Sequence, residues 1–277
     1  MRKTGRDASM IEEANHFSAE CAALKSLVIP LTESDFSRKT QFKEWTLNDI
    51  FSHLYMGDNN ARLTLLDPDS FKAAQNARQK ALDGGISRFE YQSQWVNGLK
   101  GQALVTAWFE SSLETADAYA DADPKKRVAW VGPDMSARSS ITARFMETWS
   151  HSQAIYDLLG LERQDDDRIR AIAHLGAITF GWTFANRGEV PPGLPPHISL
   201  NSPSGGTWEW NPERANSGES VSGKATEFCQ VVTQTRNIAD VSLKLEGTTA
   251  KAWMTKAQCF AGPPNDPPQP GTRYKQA

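Results

Sequence analysis

Five histidines stand in this 277-residue chain, and three of them follow an acid by four positions: His16 after Glu12, His53 after Asp49 and His151 after Glu147. Residues at i and i+4 share a helix face, so each pair could converge on one metal ion. Spacing alone does not discriminate, because one chain carries it three times. The helix faces do discriminate. Glu12 and His16 lie opposite the apolar stripe of their helix, at about 100° per residue, and are expected to face water. Asp49 reads as the acid of a capping box opened by Thr46. Glu147 and His151 share their face with Ala143, Ala154, Ile155 and Leu158. That face should point inward, where a carboxylate must be paired, hydrogen-bonded or metal-bound. Two readings stay open from the residues alone: a divalent metal on Glu147 and His151, or a buried His–Glu hydrogen bond. His53 borders an apolar stripe of Ile50, Leu54, Gly57 and Ala61. His174 and His197 have no acid at i−4 and read as satisfied or exposed histidines.

The three cysteines, Cys21, Cys229 and Cys259, are far apart and form no C-x-x-C. A thiolate zinc site or a disulfide framework is therefore not expected. All three are placed on helices, and Cys21 lies on an apolar face where a thiol is inert. The chain offers no evident nucleophile of its own. Its formal net charge is −3, with 30 Lys and Arg against 33 Asp and Glu, and the longest basic run is Lys125-Lys126-Arg127. Neither nucleic acid nor an anionic membrane is an expected partner. The opening MRKTGRDASMIEE has no apolar core of a secretory signal, and no apolar run reaches about 18 residues. A cytoplasmic location follows as the expectation.

The elements that must position these residues come mostly from apolar periodicity. Met10 to Val28 is an amphipathic helix with Met10, Ala14, Phe17, Cys21, Leu24 and Val28 on one face. Thr46-Leu47-Asn48-Asp49 starts a helix that runs to Leu66, where Asp67-Pro68 breaks it. Helices are expected over 69–82, 87–97 and 101–120. Residues 121–136 form a turn-rich connector with Val128-Ala129-Trp130 extended. Ser136 caps a helix that ends at Leu159, before Gly160 as a C′ glycine. Asp165-Asp166-Asp167 opens a helix through Phe184. Residues 188–206 are rich in Pro and Gly and read as a linker carrying a first strand. Strands follow over His197–Leu200 and Thr207–Trp210, then a helix over 222–235, a strand over 240–246 and a helix over 249–260. The tail from Gly262, with Pro263, Pro264, Pro267, Pro268 and Pro270, is expected to be extended or disordered. The domain plan is 1–187 helical, 188–206 linker, 207–262 a small α+β domain and 263–277 a Pro-rich tail. The class is mixed, all-α in front and α/β behind.

His53 lies in WTLNDIFSHLYMGD, and Glu147 and His151 lie in ARFMETWSHSQAIYDLLG. Together these segments resemble the two metal-ligand segments of the mycothiol-dependent maleylpyruvate isomerase family, within the DinB superfamily. That family pairs W-[ST]-x-x-[DE]-x-x-x-H with a later E-x-x-x-H. The stretch ATEFCQVVTQTRNIADVSLKLEGTTAKAWMTKAQCFAGPP is similar to the C-terminal part of a metal-binding subgroup without an assigned substrate. The resemblance implies a DinB-like four-helix bundle followed by a sterol-carrier-like α+β domain. It also implies a divalent metal, with zinc expected, on His53, Glu147 and His151. Two imidazoles and one carboxylate leave a fourth tetrahedral position open, as in catalytic rather than structural zinc sites. Zinc deprotonates a coordinated thiol. In the family, such a thiolate adds to an activated cis double bond, the adduct rotates and the thiol leaves; relatives transfer a thiol to an electrophile instead.

The implied cofactors are zinc, or another divalent metal, and mycothiol or another low-molecular-weight thiol. The implied substrate is small, anionic and unsaturated. Arg236 matches an arginine that the family places in the active site, and it reads equally as a helix-end arginine satisfying the last carbonyls. Arg144, one turn before Glu147, could hold that carboxylate from behind or contact substrate. Asp58 could lie near the site, and a surface acid is its plainer reading. Trp45 and Trp149, which flank the ligand segments, read as core or pocket lining. Two further functions compete with the thiol enzyme. One is a non-catalytic protein binding a metal and a hydrophobic ligand. The other is a hydrolase using zinc-bound water, disfavoured because no second glutamate stands at an H-E-x-x-H position.

Overall fold

The computed structural model describes residues 11–130 and 132–277. Met10, the expected start of the first helix, and the rest of the MRKTGRDASM segment lie outside the described residues. The chain forms two compact units: one from the N-terminus to Lys39 with Trp45–Trp149, the other of Thr40–Glu44 with Ser150–Ala277. Among the described residues, no helix is long and apolar enough to cross a membrane.

The first unit is helical. Helix α1 (Glu12–Val28) buries Ala14, Phe17, Cys21, Leu24 and Val28, the stripe expected from the sequence. Helix α2 (Leu47–Leu66) starts at the expected capping box. The Asp49 amide donates to Thr46 Oγ1 at 3.1 Å, and the Thr46 amide donates to Asp49 Oδ2 at 2.8 Å, so two otherwise orphaned amides are satisfied reciprocally. Asp67 caps the next helix, α3 (Pro68–Asp83), with proline in its first turn. Helices α4 (Arg88–Trp95) and α5 (Gly101–Ala120) follow. A two-residue hairpin, β1 (Arg127–Val128) with β2 (Met135–Ser136), leads into α6 (Ala137–Leu158). The Ser139 amide donates to Ser136 Oγ at 3.1 Å, which makes Ser136 the expected cap. Gly160 follows α6 with φ +68°, the left-handed turn for which a C′ glycine is suited.

Helices α1, α2, α5 and the front of α6 pack on one another. His16 of α1 faces Phe145 of α6, with ring centroids 6.0 Å apart, so it is half-buried rather than turned to water as expected. Tyr119 of α5 donates to the Ala61 carbonyl of α2 at 2.8 Å and lies 2.8 Å from Ser140 Oγ of α6. Burial pushes this phenol up to about 12. Helix α6 is buried on nearly every side, which explains its weak polar–apolar contrast.

The second unit continues from α6 with α7 (Arg170–Ile178) and α8 (Phe180–Ala185). The single helix expected from Asp165 to Phe184 is instead a 3-10 turn at Asp167–Ile169 and these two short helices, broken at Thr179, whose hydroxyl bonds back to the Leu175 carbonyl. Strands β3 (His197–Asn201), β4 (Thr207–Trp210), β5 (Ser220–Lys224) and β6 (Lys244–Glu246) form a mixed sheet in the order β4-β3-β5-β6. The β3–β5 pair is parallel and the other two are antiparallel. Between β5 and β6 lies α9 (Ala225–Val232), and α10 (Thr248–Met254) follows β6.

Strand β5 was not expected. Ser222, Gly223 and Lys224 belong to it and not to a helix, because all three pair with β3 and Ser222 pairs with β6 as well. The helices expected over 222–235 and 249–260 are accordingly shorter, and Cys259 lies beyond α10 in irregular chain. Ile198, Leu200 and Val221 from the sheet are buried with Phe228, Val232, Phe180 and Trp253 from the helices. The tail is irregular yet anchored. Arg273 donates to the Gln234 carbonyl at 2.5 Å, and Asn237 Nδ2 donates to the Pro268 carbonyl at 2.7 Å.

Candidate metal centre

His53 projects from α2 beneath the ring of Trp45, in edge contact at 5.4 Å between centroids. Its Nε2 lies 3.2 Å from Glu147 Oε2 on α6. His151 follows Glu147 by one turn of the same unbroken helix and is 7% exposed. The ring of Phe42 stands edge-on to it at 4.9 Å. Among the described residues, the ligand atoms of His53, Glu147 and His151 all lie within 4.8 Å of one another.

This donor set suits a divalent ion. Two ligands about 2.0–2.1 Å from a tetrahedral zinc lie about 3.3 Å apart, which is close to the observed His53–Glu147 separation. Two neutral imidazoles with one carboxylate match zinc and its neighbours in the transition series better than the all-oxygen sites of calcium or magnesium. Three protein ligands leave room for an external one. His53 and Glu147 are hydrogen-bonded to each other across α2 and α6.

The other side of His53 is occupied by α4. An Arg88 terminal nitrogen lies 3.0 Å from His53 Nδ1, and Gln92 Nε2 lies 3.5 Å from it. A guanidinium has only donors, so Nδ1 is the acceptor and the ring proton sits on Nε2, facing Glu147. The Arg88 guanidinium also lies over the Trp45 ring, 5.0 Å from its centroid. Neither Arg88 nor Gln92 was singled out from the sequence. Their helix mixes the aromatics Phe89, Tyr91 and Trp95 with polar residues, and no helical periodicity marks which residue turns inward.

One turn from the histidine–glutamate pair, α2 and α6 are joined by a second polar contact. Arg144 Nε donates to Asp58 Oδ1 at 2.8 Å, and Trp108 Nε1 of α5 donates to Asp58 Oδ2 at 2.9 Å. Asp58 is fully buried, which corrects its reading as a surface acid. Its burial is not legible in the sequence, because the Arg144 that pairs with it lies 86 residues away on another helix. Burial pushes the Asp58 carboxyl up, and Arg144 only partly offsets that. Burial would lower Arg144, but Asp58 and Glu147 together hold it above its ordinary value. These two directions favour opposite states of one pair. The ionised pair is the state to accept, because a guanidinium does not give up its proton. The same Arg144 donates to the Leu54 carbonyl at 3.5 Å, and its link to Glu147 is electrostatic. Gly57 permits this packing, since a Cβ there would meet the guanidinium at 2.7–2.8 Å.

Arg236 follows α9 and forks onto Asp157, donating at 2.8 Å and 2.6 Å to the two carboxylate oxygens. It lines a narrow cleft with Phe42, Gln153, Ala154, Thr235 and Arg273. Arg273 lies over Phe42 at 4.8 Å, and burial, with Arg236 adding, pushes its guanidinium down to about 10. His174 accepts from Trp210 Nε1 at 3.0 Å, and His197 lies 3.1 Å from Glu209, so both are satisfied as expected. The three cysteines are buried, and burial pushes the Cys21 and Cys229 thiols far up. Trp149 is fully buried and Trp45 nearly so.

Comparison with known proteins places these observations. The family profile described as "Mycothiol maleylpyruvate isomerase N-terminal domain" matches residues 17–156, the stretch that carries all three candidate ligands. An uncharacterised protein of Mycobacterium tuberculosis (strain CDC 1551 / Oshkosh) is 33% identical over 246 residues, covering 89% of this chain and 94% of its own. Its counterpart in strain ATCC 25618 / H37Rv gives the same values. Among solved structures, the mycothiol-dependent maleylpyruvate isomerase is similar with a TM-score of 0.49 and 14% identity, covering 80% of this chain and 86% of that one. A histidine-to-alanine mutant of that enzyme matches with a TM-score of 0.49 and 15% identity over the same shares.

Proposed function

We propose a function on the premise that this chain belongs, by its residues 17–156, to the mycothiol maleylpyruvate isomerase N-terminal domain family. It is a metal-dependent enzyme that uses a low-molecular-weight thiol, mycothiol first among the candidates. It acts as an isomerase or thiol transferase on a small, anionic, unsaturated substrate in the cytoplasm. The observation that carries this reading is the convergence of His53, Glu147 and His151, all three inside the matched segment. A zinc ion held there supplies one thing, a thiol deprotonated at neutral pH. The chain's own residues do the rest. His53 and His151 are held by aromatic edges from Trp45 and Phe42, which fix the ring planes. The buried cysteines leave the nucleophile to come from outside. Arg236 offers positive charge for an anionic substrate, although Asp157 already holds its fork. The fold that goes with this reading is a DinB-like bundle of α1, α2, α5 and α6, with a sterol-carrier-like domain built on β3–β6.

The test is metal content. The purified chain should carry close to one zinc per molecule, and His53→Ala and His151→Ala should lose it. Equal, near-zero metal in all three proteins sinks the proposal. With metal present, mycothiol, glutathione and bacillithiol are titrated separately while thermal unfolding is followed. A stabilising shift with one thiol supports the thiol enzyme, and no shift with any of them removes the thiol from it.

A further inference from the structure

Helix α4 has eight residues, and the buried one is Gln92, only 1% exposed. A short surface helix ordinarily turns an apolar side chain inward at such a position. The amide is also poorly served there. Its Oε1 is buried and has no hydrogen-bond partner. Its Nε2 is aimed at His53 Nδ1 from 3.5 Å, where Arg88 already donates from 3.0 Å. An imidazole nitrogen has one lone pair, so the second donor gains little. One oxygen without a donor and one nitrogen crowded onto an occupied acceptor describe an amide waiting for a different state of its neighbour.

Metal binding at His53 Nε2 creates that state. With the Nε2 lone pair given to an ion, the proton of the neutral ring would sit on Nδ1. Arg88 has no acceptor to offer it. Gln92 does: a half-turn of its amide exchanges oxygen for nitrogen and brings Oε1 to the place now held by Nε2. We propose that Gln92 is the positioning residue of the metal ligand His53, accepting Nδ1–H and fixing the ring tautomer that presents Nε2 to the ion. This rests on the metal site proposed above. A metal-bound histidine usually donates its second N–H to such a partner, and loss of the partner costs about 10–100-fold in metal affinity.

The experiment measures zinc affinity of the full chain by competition with a chromophoric chelator, for the natural protein, Gln92→Leu and Gln92→Glu. Gln92→Leu should bind zinc about 10–100-fold more weakly. Its metal-free form should melt no lower, since an unpartnered buried oxygen has been removed. Gln92→Glu supplies an acceptor and should bind at least as tightly as the natural protein. Nitrogen-15 spectra of the histidine rings should show the His53 proton on Nε2 without zinc and on Nδ1 with it. Equal zinc affinity in the natural protein and Gln92→Leu overturns this inference while leaving the metal site standing. Equal loss in both variants also overturns it, because Gln92→Glu keeps an acceptor at nearly the same side-chain size. No zinc binding by the natural protein overturns the metal site and this inference together.

Discussion

Removing the Asp58 carboxylate tests whether the metal pair depends on the ion pair beside it. Asp58 lies five residues beyond His53 on α2, and Arg144 lies three before Glu147 on α6. The two contacts are therefore successive rungs between antiparallel helices, and loss of the Arg144–Asp58 bond is expected to disturb the register that brings His53 to Glu147. Both side chains of the ion pair are at most 3% exposed. Asp58→Ala leaves a guanidinium buried without its carboxylate, which costs about 3–5 kcal/mol. The Trp108 N–H loses its acceptor too, a cost of about 1–3 kcal/mol that overlaps with the first. In a chain of this size the total corresponds to a fall in Tm of about 6–20 °C. The assay is urea unfolding at pH 7 followed by tryptophan fluorescence, with zinc affinity measured on the same samples. Asp58→Asn keeps an acceptor for Trp108 and should lose less. Asp58→Ala combined with Arg144→Met removes both charges, so its cost should fall short of the sum of the single changes by about 2 kcal/mol. A single-variant loss below about 1 kcal/mol, or strict additivity in the double variant, refutes the argument. So does an unchanged zinc affinity in Asp58→Ala, because the register would then have another source.

Three further expectations follow from the second unit and the thiols. Arg236→Ala strands Asp157, whose side chain is 5% exposed, and should destabilise the protein by about 3 kcal/mol in urea unfolding, with Arg236→Lys intermediate; an unchanged midpoint would return Arg236 to a purely substrate-facing role. All three cysteines are buried, so a thiol reagent should find none of them in the native protein and three after denaturation, and rapid native labelling of Cys21 would contradict its placement. Partial burial would raise the Glu219 carboxyl, but the Ala250 and Thr249 amides, donating at 2.9 Å and 3.1 Å, outweigh it and hold it low. A depressed folded pKa means that Glu219 stabilises the start of α10 above the unfolded glutamate pKa, and that this contribution is lost as pH falls through the folded value. The two amide resonances should titrate below the ordinary glutamate range, and a midpoint at or above that range counts against the contact.

The helices of the first unit were legible because their signals are local. Thr46 and Asp49 cap α2 from three residues apart, and the α1 stripe repeats at the helical period. The i, i+4 spacing of Glu147 and His151 needs only a continuous helix, and α6 provides one. Strand β5 was not legible, since Ser220–Lys224 becomes a strand only through backbone bonds to β3 and β6, which are remote in the chain. The residues around His53 were hidden for the same reason. Asp58, Arg88 and Gln92 are ordinary polar residues in the sequence, and their roles arise where α4 and α6 meet α2. By itself, then, the sequence determined the helices of the first unit and singled out Glu147 and His151 as one candidate pair, with His53 joined to them by family resemblance, because helix caps and i, i+4 faces are properties of a few consecutive residues. The tertiary structure decided that His53 meets Glu147, that Asp58 is buried beneath them, and that a glutamine stands behind the ring. Those are distances between segments far apart in the chain, and packing alone sets them.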